Sequence, residues 1–342
     1  YTAPQYNSCG NRHCPTCQSL AQARWIASRT KKVLPVKHFQ VVFTLPAELR
    51  PLALRNKELV YDLLLRCSAE TIETLAKDRL GVRPGVSSIL HTWTREMRYH
   101  PHVHNLVSSG GLSAEGSKWV STCKDYLLPV PRMRALFRSL ILTRLRRAFR
   151  EGKLDLGKGL SSLDGPVAFE QFIKRLWAKT WVVYVKRPFS RAEHVLKYLG
   201  RYTYRVAISD QRLISVGEDS VCVITKGGKR TTIPALEFIR RYLMHVLPDR
   251  FHKIRHSGLY SPHDVRSRLE DARALVPCAE RSDSPGDVDS ILNATTWQEV
   301  YEILTGQPAL QCPICSHPGM LHLQPNEGSP SLPSCKNAED TS

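Results

Sequence analysis

The 342-residue chain is short of acid. Aspartate and glutamate number 31 against 49 lysines and arginines, which leaves a formal charge of +18 at pH 7. Such an excess repels itself unless a polyanion is the partner, so nucleic acid ranks first and an anionic membrane surface second. The sequence also lacks any apolar run near the roughly 18 residues that a membrane span requires, which argues against a spanning protein. No helicase-like P-loop is present. No internal repeat is evident. Methionine is missing from the first position, which is Tyr1, and the chain is therefore expected to be N-terminally truncated.

What is present is more specific. Ten cysteines fall into two classes: Cys9, Cys14 and Cys17 cluster, as do Cys312 and Cys315, while the rest are scattered. Two-residue gaps in a basic protein point to metal ligands rather than a disulfide framework, and a reducing cytoplasm fits them. Hydrophobic residues make up 42% of the chain, enough for a real core, and the length allows two or three domains.

Periodicity gives the outline. Gln18 to Leu34 predicts a basic helix, and "HFQVVFTLP" a strand stopped by Pro46. Between Lys57 and Ala76, Val60, Leu63, Leu64, Cys67, Ile72 and Leu75 recur at helical spacing. "VSSILHTWT" and "VHNLVSSGG" are strand-like runs joined by a short polar stretch, which predicts a hairpin. Pro131 to Arg150 predicts a second amphipathic helix whose remaining surface is largely arginine. "EGKLDLGKGLSSLDGP" reads as a loop, "TWVVYVKRP" as a strand, and Arg191 to Tyr204 as a helix. Three or four short strands reach Ile233, followed by a helix from Ala235 to Leu247 and a basic loop, "FHKIRHSG". Trp93 and Trp181 are expected in the core. The order predicts an α+β fold around a largely antiparallel sheet, with small metal-binding appendages.

Within the hairpin, "YHPHVHNLV" sets His100, His102 and His104 at alternate positions. Residues two apart on a strand share a face, so His102 and His104 can aim at one ion. His91, eleven residues before His102 on the partner strand, is the candidate third ligand; His100, next to Pro101 at the turn, competes with it. Imidazoles alone leave zinc, copper and manganese open. Further on, "EHVLKYLGRYTYRVAI" places Tyr198 and Tyr202 four apart, on one helical face, with Lys197, Arg201 and Arg205 as a cationic stripe beside them. A tyrosine nucleophile must lose a proton whose ordinary pKa is about 10, and nearby cations and a metal both favour that. Apolar neighbours such as Val195 and Leu199 also suit a packed helix, in which the tyrosines would be core or interface residues.

His-hydrophobic-His on a strand followed by Tyr-x-x-x-Tyr on a later helix resembles the HUH endonucleases. "NSCGNRHCPTCQ", "FQVVFTLP", "LHTWTREMRYHPHVHNLVSSGGL", "YLLPV", "VLKYLGRYTYRVAIS" and "EFIRRYLMHVLPDRFHKIRHSGL" resemble, in order from Asn7 to Tyr260, the rolling-circle, two-tyrosine transposases of the insertion sequence 91 type. The resemblance implies an HUH-like antiparallel sheet flanked by helices. It implies cleavage of single-stranded DNA at element ends through a 5′-phosphotyrosine, with Tyr198 and Tyr202 as nucleophiles and DNA as the partner in a bacterial cytoplasm. His102, His104 and His91 would hold Mg2+ or Mn2+. Zn2+ would be structural, held by Cys9, Cys14 and Cys17; outside the resemblance, the spacing in "CPICSHPGMLH" makes Cys312 and Cys315, with His317 and His322, a second candidate zinc site. Lys197, Arg201 and Arg205 would follow the DNA.

The resemblance also places a further Cys-x-x-Cys ahead of Cys9, so the first zinc site is expected to be incomplete. The implied division is a zinc-binding remnant and basic helix over 1–35, the transposase domain over 36–265, a helical linker over 266–305 and a cysteine-bearing tail over 306–342. A plasmid relaxase or replication initiator would use the same residues; the absence of a helicase-like P-loop leans toward a transposase. A non-catalytic, zinc-dependent nucleic-acid-binding protein would keep them as structure.

Overall fold

The computed structural model describes residues 11, 13–14, 19–122, 127–157, 159–189, 207–277 and 288–309. The helix expected over 191–204 lies outside them, and with it Tyr198, Tyr202, Lys197, Arg201 and Arg205; so do Cys9, Cys17, Cys312 and Cys315. In chain order the first elements are α1 (Ser19–Lys31), β1 (His38–Thr44), α2 (Arg50–Arg55), α3 (Lys57–Leu80), β2 (Val82–Trp93), β3 (Tyr99–Ser113) and β4 (Trp119–Ser121). Then follow α4 (Val130–Arg150), α5 (Pro166–Ala178), β5 (Val182–Phe189), β6 (Leu213–Val216), β7 (Ser220–Ile224), β8 (Arg230–Pro234), α6 (Ala235–Met244) and β9 (Ile254–Gly258). Short helices α7 (Pro262–Ser267), α8 (Leu269–Leu275) and α9 (Val288–Asn293) come next. Residues 294–309 belong to a separate unit, whose helix α10 (Trp297–Thr305) opens on a capping box between Thr296 and Glu299.

The fold is α+β: a six-stranded antiparallel sheet flanked by helices. Its strand order is β5-β1-β3-β2-β9, with β4 on the far end of β3, and β6, β7 and β8 make a second, three-stranded sheet. Alternation along the strands gives the large sheet two different faces. Phe39, Val41 and Phe43 of β1, Leu90 of β2, and Val103 and Val107 of β3 point to one face and pack with α3, α4 and α5. The long α3 stops at Gly81, whose φ of 64° and N–H bonds to the Ala76 and Lys77 carbonyls close the last turn. Asn105 lies buried on this helical face, its Oδ1 accepting from Ser88 Oγ at 2.6 Å, which ties β2 to β3 inside the core.

Among the described residues, the opposite face is covered along only part of its length. There Ile89 and Leu106 pack with Leu34, Leu259, Tyr260 and Leu269. Tyr260 is the latch. The His38 Nδ1–H donates to the Val36 carbonyl (2.8 Å), which leaves Nε2 to accept from the Tyr260 hydroxyl (2.6 Å), and the Leu34 N–H donates to that same oxygen (3.2 Å). The Tyr260 ring lies over Gly85, where an added Cβ would come within 2.4 Å of it, so only glycine admits the ring.

Burial holds His38 down to about 4, below its ordinary 6.5. The unfolded chain therefore binds a proton more readily than the folded one as pH falls through 6.5. Stability should decline from about pH 6.5 toward pH 4, with His38 contributing at most on the order of 3 kcal/mol. Thermal unfolding across that range checks it: His38→Gln should melt lower at pH 7 but fall less steeply on acidification. An identical slope in the variant would remove His38 as the cause.

The fold departs from expectation in three places. β3 starts at Tyr99, so His100 sits in the strand rather than at the turn. The run "FHKIRHSG", expected as a loop, supplies β9, paired to β2 from Ile254↔Ile89 to Gly258↔Gly85. Its charges are those of an edge strand, where they discourage pairing with other chains. The third departure is α5, whose buried Phe169, Phe172, Ile173 and Leu176 follow a helical period the sequence reading passed over. No described helix is long and apolar enough to cross a membrane.

Candidate metal centre

The sheet register brings the histidines together. His102 is directly opposite His91 on β2, and His104 is opposite Ile89, so all three rings leave the same face from adjacent strands. Ring centroids lie 4.3 Å apart for His91 and His104, 4.9 Å for His102 and His104, and 5.3 Å for His91 and His102. One ligand nitrogen from each falls within 4.8 Å of the other two. Three imidazole nitrogens this close could together hold one metal ion after a small adjustment of their side chains. The donor set fits a divalent transition ion, and any remaining positions would be open to water or substrate oxygen.

His100 shares this face, its ring centroid 5.2 Å from that of His102. Its Nδ1 is engaged, however, accepting from an Arg50 guanidinium N–H at 2.8 Å, and the three-histidine group does not include it. Trp93, expected in the core, is half-buried and stacks on His91, with centroids 5.0 Å apart and planes at 19°. Trp181 is fully buried, as expected.

Protonation also suits a ligand role. Burial first, then repulsion from the other imidazoles, holds His91 and His104 well below 6.5; burial brings His102 to about 4. All three are neutral at pH 7, the form that offers a lone pair. His102 Nδ1–H donates to the His100 carbonyl at 2.7 Å, which fixes the proton on Nδ1 and leaves Nε2 for the ion.

The matching partner of His104 is Gln40, fully buried on β1, its carboxamide 2.6 Å from His104 Nδ1. As placed, the amide nitrogen faces the ring, and among the described residues Oε1 has no hydrogen-bond partner. A half-turn of the carboxamide presents Oε1 to an Nδ1–H, which frees His104 Nε2 to ligate. Gln40→Leu is therefore expected to weaken Mn2+ binding by about 10–100-fold, with Gln40→Glu retaining it. Isothermal titration reads this directly, and equal affinity in Gln40→Leu would remove the role.

These rings form one wall of a cleft of about 530 Å³ whose other wall includes Arg212, Ile224 and Thr225, with exposed Arg95 at the lip. The Arg212 side chain bonds the carbonyls of Ile224, Ala207 and Arg95, so it joins the small sheet to the β2–β3 connection. Sequence reasoning missed Gln40, Arg95 and Arg212. Only Gln40 left a signal, as a polar residue on the His38-Gln40 face of an otherwise apolar strand. Among the described cysteines, Cys67 and Cys222 carry free thiols, and Cys14 is half-buried.

An antiparallel sheet that sets three neutral imidazoles beside a cleft lined by Arg95 and Arg212 has the makings of a metal centre next to a cationic surface. The chain belongs to a transposase family: residues 85–268 match the family described as "Putative transposase", and residues 1–45 match the "Transposase zinc-binding domain". It is 39% identical to "Putative transposase y4qJ" of Sinorhizobium fredii (strain NBRC 101917 / NGR234), over 96% of this chain and 84% of that protein. It is 27% identical to the transposase for insertion sequence element IS801 of Pseudomonas savastanoi pv. phaseolicola, over 74% of this chain and 61% of that protein. Among solved structures it is similar to the conjugative relaxase TrwC in complex with oriT DNA, metal-bound, at 14% identity and a TM-score of 0.27. That similarity spans 49% of this chain and 71% of the relaxase.

Proposed function

We propose that this transposase cuts and rejoins single-stranded DNA at the ends of a mobile element, through 5′-phosphotyrosine intermediates in a rolling-circle scheme. The observation that carries the reading is the convergence of His91, His102 and His104 beside a cleft lined by Arg212 and Arg95. Mg2+ or Mn2+ held by the three imidazoles would supply Lewis-acid polarisation of the scissile phosphate.

The chain's own groups do the rest. One phenol, Tyr198 or Tyr202, gives up its proton and its oxygen bonds to phosphorus. The bond from phosphorus to the 3′-oxygen breaks, and that oxygen leaves and takes up a proton, which yields a free 3′-hydroxyl and a tyrosine-linked 5′-phosphate. The second tyrosine allows another transesterification before the first strand is released. Lys197, Arg201 and Arg205 favour the phenolate and track the phosphates.

The N-terminal cysteines Cys9, Cys14 and Cys17, and Cys312 with Cys315, would take Zn2+ in structural sites flanking a transposase domain over 36–265. The test is a labelled single-stranded oligonucleotide incubated with the full chain and Mn2+. A covalent protein–DNA adduct that chelator prevents supports the reading. Salt-sensitive binding with no adduct would assign the chain to nucleic-acid binding alone.

A further inference from the structure

The face that carries the imidazoles continues two strands further, to the edge of the sheet. His104 is opposite Val42 on β1, and Val42 is opposite Tyr184 on β5; His102 is opposite Thr44, and Thr44 is opposite Val182. Strands about 4.8 Å apart put Tyr184 on the order of 10 Å from His104, with no change of face. Val182 and Tyr184 are each 55% exposed, so an aromatic ring and an apolar side chain stand open beside the cluster. Lys186, the next residue on that face, is opposite Gln40 and close enough to His104 to lower its basicity further. This strip therefore runs from a cation and a flat ring at the sheet edge to the imidazole cluster.

We propose that Tyr184 is a stacking platform for an unpaired base of the single DNA strand whose phosphate reaches the imidazole cluster, and that Lys186 takes an adjoining phosphate. This rests on the reading of the chain as an enzyme of single-stranded DNA. Unpaired bases offer a π-face to such a ring, whereas bases in a duplex are already stacked, so the platform selects single strands without reading sequence. Charge complementarity favours DNA over a second copy of this strongly basic chain: Lys186 and Arg187 sit on the edge strand, where cations oppose strand-to-strand pairing.

The test uses the full chain and a labelled oligothymidylate of about 20 nucleotides in which one 2-aminopurine is moved along the strand. Tyr184→Ala should weaken binding about ten-fold and abolish fluorescence quenching at one position, while Tyr184→Phe keeps both. Lys186→Gln should reduce the salt dependence of binding by about one phosphate contact.

Binding of Tyr184→Ala within about two-fold of the parent, or an equal loss on the matching duplex, overturns the platform. So does a DNA-free dimer that Tyr184→Ala dissolves, which would give this face to a second copy. Adduct formation and Mn2+ affinity are read separately. A Tyr184-dependent loss of binding in a chain that never forms adducts would leave the platform standing and remove the nicking reaction. Normal adducts with indifferent binding would do the reverse.

Discussion

Replacing Tyr198 and Tyr202 together by phenylalanine is expected to abolish the covalent protein–DNA adduct, a loss of roughly 10⁴-fold or more in cleavage rate. The expectation follows from what a phenyl ring lacks. It retains the area and shape of the tyrosine but has no oxygen with which to attack phosphorus, so binding of a single strand should persist while chemistry stops. The single variants should differ from the double. With one phenol left, the chain should still cut a strand and hold it, yet fail to pass it on, because a second transesterification has no second nucleophile. Gel analysis of a labelled oligonucleotide, with strand-transfer products scored apart from adducts, distinguishes these outcomes. An undiminished adduct in the double variant would place the nucleophile elsewhere in the chain.

The second large effect is on the ion. His104→Ala removes a ligand outright, so its cost should exceed the 10–100-fold of losing an outer partner such as Gln40, and Mn2+ affinity is expected to fall by roughly 100-fold or more. His91→Ala should behave alike, since its ring lies nearest to His104. His100→Ala should not, because the His100 Nδ1 is engaged by Arg50 and the ring stands outside the three-histidine group. Circular dichroism guards against unfolding, which alanine at a buried site can cause, and His104→Gln offers a larger polar replacement if alanine fails to fold. Should His91→Ala bind Mn2+ as tightly as the parent while His100→Ala does not, the third ligand would have to be reassigned.

The strands and helices nearest the cluster were legible because their periods are clean. Alternation from His102 to His104 announced a shared face, and the paired run ending near Trp93 announced a hairpin partner, so His91 could be set beside them before any coordinates. Gln40 stood out only as a polar residue on an apolar strand, and its partner was not legible. Its distance from His104 is 64 residues in sequence, and only the pairing of β1 with β3 brings the two within hydrogen-bond reach. Tyr184 was hidden for the same reason: "TWVVYVKRP" shows a strand but not which neighbour it joins. β9 misled the reading because Lys253, Arg255 and His256 look like solvent-loving loop residues, whereas Arg255 reaches Asp62 on α3 at 2.5 Å and His256 Nδ1 bonds Ser87 Oγ at 2.8 Å. Long-range partners, not local propensity, made that segment extended.

Parity divides the labour of β3. Its odd-numbered valines, Val103 and Val107, answer to the helices, while the even-numbered imidazoles, His102 and His104, answer to whatever enters the cleft. A slip of one residue against either neighbour would exchange the two sets at once, sending imidazoles into oil and valines into water. Damage to this strand should thus erase solubility and chemistry in one stroke, whereas drift at the even positions alone can retune the chemistry of an intact scaffold.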